Sequence, residues 1–155
     1  MKYIIKNYPE RYYLGIEHLG GITIGKPNSI TKTWKDFFDN DLNFIEDIKD
    51  GGKFVGLECY PIDFLETKQL DYFVLCEVKS VIHKEGFISK KIPAGKYICF
   101  SINYNDIPKE IVKVHQHIKE NDIKVSYSFD YEEYLSSQDY TKKGSILNFC
   151  LKLIN

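Results

Sequence analysis

Two adjacent glutamates, Glu132 and Glu133, sit in the run Phe129-Asp130-Tyr131-Glu132-Glu133-Tyr134-Leu135, which reads as a strand. Successive strand side chains point to opposite faces, so one of the two glutamates is turned inward. Alternation groups Phe129, Tyr131 and Glu133 on one face and Asp130, Glu132 and Tyr134 on the other, and does not say which face is covered. The ordinary fate of such glutamates is to face water. A carboxylate held among rings has two alternatives: it pairs with a cationic ligand, or its pKa rises.

The rings are available. Tyr, Phe and Trp number 12, 10 and 1 and make up 15% of the chain, with Tyr60, Tyr72, Tyr97, Tyr104, Tyr127, Tyr131 and Tyr134 on or beside expected strands. Most such rings serve core and cross-strand packing, but a few around an acid form a cage for a flat or cationic organic molecule through stacking and cation–π contacts. The other reactive side chains offer less. His115 and His117 are two apart on an expected helix and turn away from each other, while His18 and His83 are isolated, so no metal site is expected. Cys59, Cys76, Cys99 and Cys150 are widely spaced in apolar runs and read as buried free thiols. The chain has neither a G-x-S-x-G elbow nor an H-E-x-x-H pair nor a phosphate-cradling glycine loop, and no cofactor is expected.

Charge narrows the partners. With 21 basic and 22 acidic side chains the net charge is −1, which lacks the basic excess that phosphate neutralisation needs, so direct nucleic-acid binding is not expected. The N-terminal apolar stretch is far shorter than a signal peptide's core or a membrane span, and a soluble cytoplasmic protein is expected.

These residues must be positioned by one domain, 1–155, of ordinary size. Tyr12 to Leu19 reads as a strand, followed by a glycine-rich turn and a helix starting near Asn28 or Ser29. That helix carries Ile30, Trp34, Phe37, Phe38, Ile45 and Ile48, with a bend expected at Asp39-Asn40-Asp41. Lys53–Tyr60 is a strand, Pro61–Leu70 a loop and Tyr72–Val78 a strand. Gly86–Ile92 and Gly95–Tyr104 are strands broken at Pro93-Ala94, and Asp106-Pro108 opens a helix with Ile107, Ile111, Val114 and Ile118 on one face. Asn121 is expected to stop that helix in the left-handed conformation. Val125–Leu135 and Ile146–Ile154 complete the strands. Strand, helix, strand, strand thus occurs twice, and Glu58-Cys59-Tyr60 in the first round matches Glu132-Glu133-Tyr134 in the second. The expectation is an α+β tandem βαββ repeat, with pseudo-repeats of about 1–80 and 86–155, antiparallel sheets, helices on one face and a ligand groove between the halves. Phe37, Phe38, Phe73, Phe100 and Phe149 are assigned to the core.

Ile92-Pro93-Ala94-Gly95-Lys96-Tyr97, the following helix, the Glu132-Glu133-Tyr134-Leu135 run and the closing strand together resemble the GyrI-like superfamily. The similarity is greatest to the effector-binding domains of bacterial multidrug-responsive transcription activators of the MerR class. Gly56–Pro61 and Asp71–Ser80 look like that family's first-half strand pair. The resemblance implies binding of hydrophobic, often cationic, compounds between the halves, with a glutamate of the penultimate strand touching the ligand. On the Glu-x-Tyr pattern that residue is Glu132, and Glu133 takes its place if a bulge exchanges the faces. Tyr134 and Tyr97 match family positions; Trp34 and Tyr60 are further candidates for the wall. The activators carry a winged-helix DNA reader before this domain, whereas this sequence starts directly with the domain's strands, so a stand-alone binding protein is expected.

The primary expectation is therefore capture or sequestration of an aromatic or lipophilic cationic compound. Two alternatives stand beside it. The first is hydrolysis of reactive cyclopropane-containing compounds, with Glu132 activating water and Tyr134 assisting. The second is a gyrase-inhibitor-like role in toxin protection through an unknown protein partner. The sequence leaves open whether the ligand is turned over, which ligand it is, and the oligomeric state.

Overall fold

The computed structural model describes residues 1–154. The chain runs β1 (Tyr3–Tyr8), β2 (Arg11–Glu17), β3 (Ile22–Thr23), α1 (Ile30–Asp39), β4 (Phe54–Cys59), α2 (Phe64–Thr67), β5 (Gln69–Val78), β6 (Ile88–Ile92), β7 (Gly95–Asn103), α3 (Ile107–Glu120), β8 (Phe129–Tyr134) and β9 (Ile146–Lys152). Short 3-10 turns occupy Asp41–Phe44 and Tyr104–Asp106. The expected order is present as β2-α1-β4-β5 and β7-α3-β8-β9, and the fold is α+β.

Instead of separate sheets, all strands join one sheet in the order β1-β7-β9-β8-β4-β5-β2-β6, with β3 on β5, and every ladder is antiparallel. The two rounds meet along β4 and β8, where Leu57 lies opposite Tyr131, Glu58 opposite Asp130 and Gly56 opposite Glu132. The ends of the sheet are stitched together. β1 turns into β2 at Pro9-Glu10 and β6 into β7 at Pro93-Ala94, with Tyr8 opposite Gly95 and Arg11 opposite Ile92, so both end strands continue into interior ones and the sheet curls.

The inner face holds Tyr13, Leu57, Phe73, Ile92, Tyr97 and Tyr131. The outer face carries the helices. Phe37 of α1 packs with Leu14, Val74 and Cys76, and Val114 and Ile118 of α3 pack with Ile98, Phe100 and Phe149. Each large side chain buried this way contributes about 1.5–3 kcal/mol of transfer free energy. Gly15 lets β2 lie against β5, because a Cβ there would stand 1.9 Å from the Val74 carbonyl oxygen.

Several expectations change in detail. The strand β1 lies before the expected first strand; Tyr3, Ile4 and Ile5 are all exposed on this edge strand, so no one-face pattern marks it. The helix α1 ends at Asp39, where Asn40 leaves helical geometry at φ −124° and ψ −61°, so the expected bend is a true break followed by the 3-10 turn. Phe38 is 45% exposed, stacked on Trp34 at 5.9 Å rather than buried in the core. Within Pro61–Leu70 the chain forms the short α2, and β5 begins at Gln69. Asn121 keeps φ −102°, and the left-handed residue is Asp122 at φ 51°. Val125 makes only an isolated bridge to Leu153, and β8 proper begins at Phe129. All four cysteines are free thiols, with Cys59 half-buried and the other three buried. No helix among the described residues is long and apolar enough to cross a membrane.

Candidate functional site

Neither helix covers β4 and β8 in the way each covers its own strands, so the outward side chains of these central strands need another roof. On that face β4 carries Phe54, which α1 reaches through Phe37 and Phe38, and Glu58, with Gly56 presenting no side chain between them; β8 carries Asp130, Glu132 and Tyr134. The roof is made of rings from both halves. The Tyr134 hydroxyl donates to Glu132 Oε2 at 2.5 Å, and the Tyr72 hydroxyl lies 3.5 Å from the same oxygen. The Trp34 indole N–H, reaching down from α1, donates to the Tyr72 hydroxyl at 2.9 Å. The Trp34 ring meets Tyr134 edge-on at 5.0 Å, and Tyr134 in turn meets Tyr140 at 5.2 Å. Gly56 makes room for this arrangement: a Cβ there would stand 2.2 Å from the Tyr72 hydroxyl oxygen.

Under these rings Glu132 is 2% exposed. Burial, reinforced by the negative charge of Glu58, pushes its carboxyl up to about 8, against the opposing hydrogen bonds from Tyr134 and Tyr72. Between the halves, where a groove is expected, the sheet is closed over by aromatic side chains.

A second acidic pair lies beside it. The Tyr60 hydroxyl stands 2.8 Å from both Glu58 Oε2 and Asp130 Oδ2, and Phe64 of α2 packs edge-on against its ring at 4.9 Å. One hydroxyl proton serves only one of two carboxylates at a time. Asp130 Oδ1 is buried with no hydrogen-bond donor at all. Burial raises the pKa of both Glu58 and Asp130, and in Asp130 the charge of Glu58 adds to it. Among the described residues no lysine, arginine or histidine forms an ion pair with Glu58, Asp130 or Glu132. Nor do the described residues contain a cluster of histidines, cysteines and carboxylates that could hold a metal ion.

The opposite face of β8 has different chemistry. Glu133 accepts from the Tyr8 hydroxyl at 3.2 Å and faces the Arg11 guanidinium at 3.6 Å. Arg11 lies 3.7 Å over the Tyr8 ring and donates to the Tyr131 hydroxyl at 2.8 Å. Tyr97 belongs here: its hydroxyl donates to the Pro93 carbonyl at 2.6 Å and its ring packs against Tyr8 and Tyr131.

The structure therefore brings Glu132, Tyr134 and Trp34 together, with Tyr60 one step along the strands through Glu58 and Asp130. It separates Tyr97 from them, on the inner face, and that grouping is corrected. Gly95 starts β7 immediately after the Pro93-Ala94 corner, and the alternation from there turns Tyr97 inward with Cys99. Sequence reading missed Tyr72, Glu58 and Asp130 as neighbours of Glu132. Two signals were present: the Glu58-x-Tyr60 spacing repeats Glu132-x-Tyr134, and alternation along β8 places Asp130 on the face of Glu132.

The α+β domain with one curled antiparallel sheet and helices on its outer face is that of the GyrI-like effector-binding class, as expected from the Ile92–Tyr97 run and the Glu-Tyr strand. Within it, the chain belongs to the Cass2 family of integron-associated effector-binding proteins, whose model matches residues 4–147. No curated protein matches it. Among solved structures, SAV2435 bound to tetraphenylphosphonium superposes with a TM-score of 0.79 at 14% identity over 100% of this chain and 95% of that one. The integron cassette protein from the mobile metagenome of Vibrio cholerae does so at 0.66 and 19% identity, over 98% and 95% of the two chains. The EcmrR C-terminal domain gives 0.69 at 13% identity, over 99% and 98%.

Proposed function

We propose that this chain binds lipophilic organic cations between its two halves, with Glu132 as counter-charge and Trp34, Tyr72 and Tyr134 as the walls. One observation carries the reading: a carboxyl with 2% exposure is roofed by three aromatic residues and has no ion-pair partner among the described residues. Burying such a group without a counter-ion is costly, and a ligand cation both neutralises it and gains cation–π contact with the rings. Trp34 and Tyr134 are only half-buried and meet edge to face, so parting these two rings opens the carboxylate from outside. The tetraphenylphosphonium complex of the structurally similar SAV2435 supports the same ligand class.

The test uses Trp34, the single tryptophan of the chain, as a reporter. Tetraphenylphosphonium titrated into the wild type should change its fluorescence saturably, and Glu132→Gln should weaken binding by ~10-fold or more, the worth of a charge-assisted contact. Equal affinity in the two proteins would remove Glu132 from the site.

A second reading has its own observation: the raised pKa of Glu132 and the Tyr134 hydroxyl at 2.5 Å form an acid–base pair suited to activating water. Incubation with an electrophilic cyclopropane compound and mass spectrometry separates the two. A water adduct lost in Glu132→Gln makes the chain a hydrolase; unchanged compound leaves it a binder.

A further inference from the structure

The two halves offer matched chemistry across the Leu57–Tyr131 pair. On one side Tyr134 donates to Glu132, two residues before it; on the other Tyr60 donates to Glu58, two residues before it. The matching is incomplete, because the position facing Glu132 across the ladder is Gly56, whereas the one facing Glu58 is Asp130. The Tyr60 end therefore has two carboxylates where the Tyr134 end has one. It also has an oxygen, Asp130 Oδ1, that is buried without any donor.

The two ends ask for different parts of a ligand. Around Glu132 the polar contacts are already supplied by Tyr134 and Tyr72, and what remains is ring surface, which suits a diffuse charge without N–H groups. Around Asp130 and Glu58 a single hydroxyl hydrogen is spread over two carboxylates, so acceptors outnumber donors. Planar N–H-bearing cations match paired carboxylate oxygens, since they present two donors in fixed geometry.

We infer that Glu58, Asp130 and Tyr60 form a second, hydrogen-bonding subsite next to Glu132, and that the chain takes aryl compounds carrying an amidinium or guanidinium head. The head lies between Asp130 and Glu58, its N–H groups supplying the donors that Asp130 Oδ1 and the Glu58 carboxylate lack, and the aryl body lies under Trp34 and Tyr134. This rests on the cation-binding reading above and specifies which cations the site selects. The groups facing the subsite are Tyr60 and Glu58 from β4 and its end, Tyr72 from β5, Asp130 and Glu132 from β8, and the Phe64 ring from α2.

The experiment compares two ligands of equal charge and similar shape: 4-phenylbenzamidine, and its counterpart with a trimethylammonium group in place of the amidine. Wild type should bind the amidine ~10-fold or more tightly than the quaternary cation, the factor expected when a charged acceptor gains its donor. Asp130→Asn, which keeps the side chain's shape, should remove most of that preference and leave the quaternary affinity within about two-fold. Equal affinity for the two cations in the wild type overturns the inference without recourse to any variant, as does Asp130→Asn weakening both cations alike. If the quaternary cation and tetraphenylphosphonium bind in a Glu132-dependent way while the amidine gains nothing, the second subsite fails and the cation-binding reading stands. If none of the cations binds, both fail.

Discussion

Glu132 and Glu133 are neighbours in the chain, and among the described residues only Glu133 of the two has a cationic partner. Its carboxylate faces Arg11 Nη1 at 3.6 Å on the inner face of the sheet, while on the outer face Glu132 meets the Tyr134 and Tyr72 hydroxyls, aromatic rings and the acid Glu58. Inside the curled sheet the charge is balanced by the chain itself. Outside, between the helices, it is left for protons or for a ligand, and this difference produces the following expectations.

Cation affinity should depend on pH. The Glu132 carboxyl keeps its proton up to about pH 8, so a monocation binding below that value has to displace it. The dissociation constant of tetraphenylphosphonium should fall by up to ~10-fold per pH unit on approaching pH 8 and level off above it. Glu132→Gln should flatten the profile. A wild-type profile already flat between pH 6 and 9 would contradict the protonated resting state.

The same shift has a sign for stability. Glu132 holds a proton in the folded chain to about pH 8, while in the unfolded chain it loses it near the ordinary value of 4.5. Between these the folded state binds more protons, so stability falls as pH rises through this window and is level above it. Replacing Glu132 by Gln removes the penalty. The variant should melt above wild type at pH 8 by several degrees, at roughly 2–4 °C per kcal/mol for a chain of this size, with the advantage gone near pH 4.5. Melting curves at the two pH values decide it, and a variant less stable than wild type at pH 8 would count against the buried, unpaired acid.

Gly56 should not tolerate a methyl group. The added Cβ would stand 2.2 Å from the Tyr72 hydroxyl oxygen and 3.4 Å from Glu132 Oε2. Tyr72 is completely buried, so its ring has little freedom to yield. Gly56→Ala should destabilise by about 1–3 kcal/mol in urea denaturation and break the Trp34–Tyr72 hydrogen bond, shifting Trp34 emission. An unchanged midpoint and emission would show that the roof adapts.

Arg11 and Glu133 should behave as a unit. Arg11→Met leaves the buried Glu133 without its counter-charge and should cost about 3–5 kcal/mol. Adding Glu133→Leu should restore most of that loss, because the pair is then replaced by apolar surface. Additive losses in the double variant would mean that each residue is held by other neighbours, such as Tyr8 and Tyr131.

Much of this was legible in the sequence. Period-two alternation places Asp130, Glu132 and Tyr134 on one face, and the matched Glu58-x-Tyr60 and Glu132-x-Tyr134 runs mark the duplication whose two strands, β4 and β8, pair in the structure. What stayed hidden depended on distant pairing. Tyr72 meets Glu132 only because β5 and β8 both flank β4, and nothing local to Asp71-Tyr72-Phe73 announces it. Tyr97 is grouped with Glu132 by the family resemblance alone; which face of β7 it takes depends on the pairing with β1 and β9, which turns it inward beside Cys99 and Tyr131. The strand β1 escaped because an edge strand exposed on both faces has no hydrophobic rhythm to read.

The stitched ends of the sheet bear on how quickly the chain can reach this state. Tyr3 pairs with Phe100 and Arg11 with Ile92, so the seam joins segments separated by most of the chain. Nothing short-range rewards these contacts before the intervening loop is closed, so refolding from urea is expected to relax on the milliseconds-to-seconds scale of non-local β topologies. The acids between the helices acquire their roof only after the halves have docked along β4 and β8. Until then Glu58, Asp130 and Glu132 remain hydrated, and their burial is deferred to a late step of assembly.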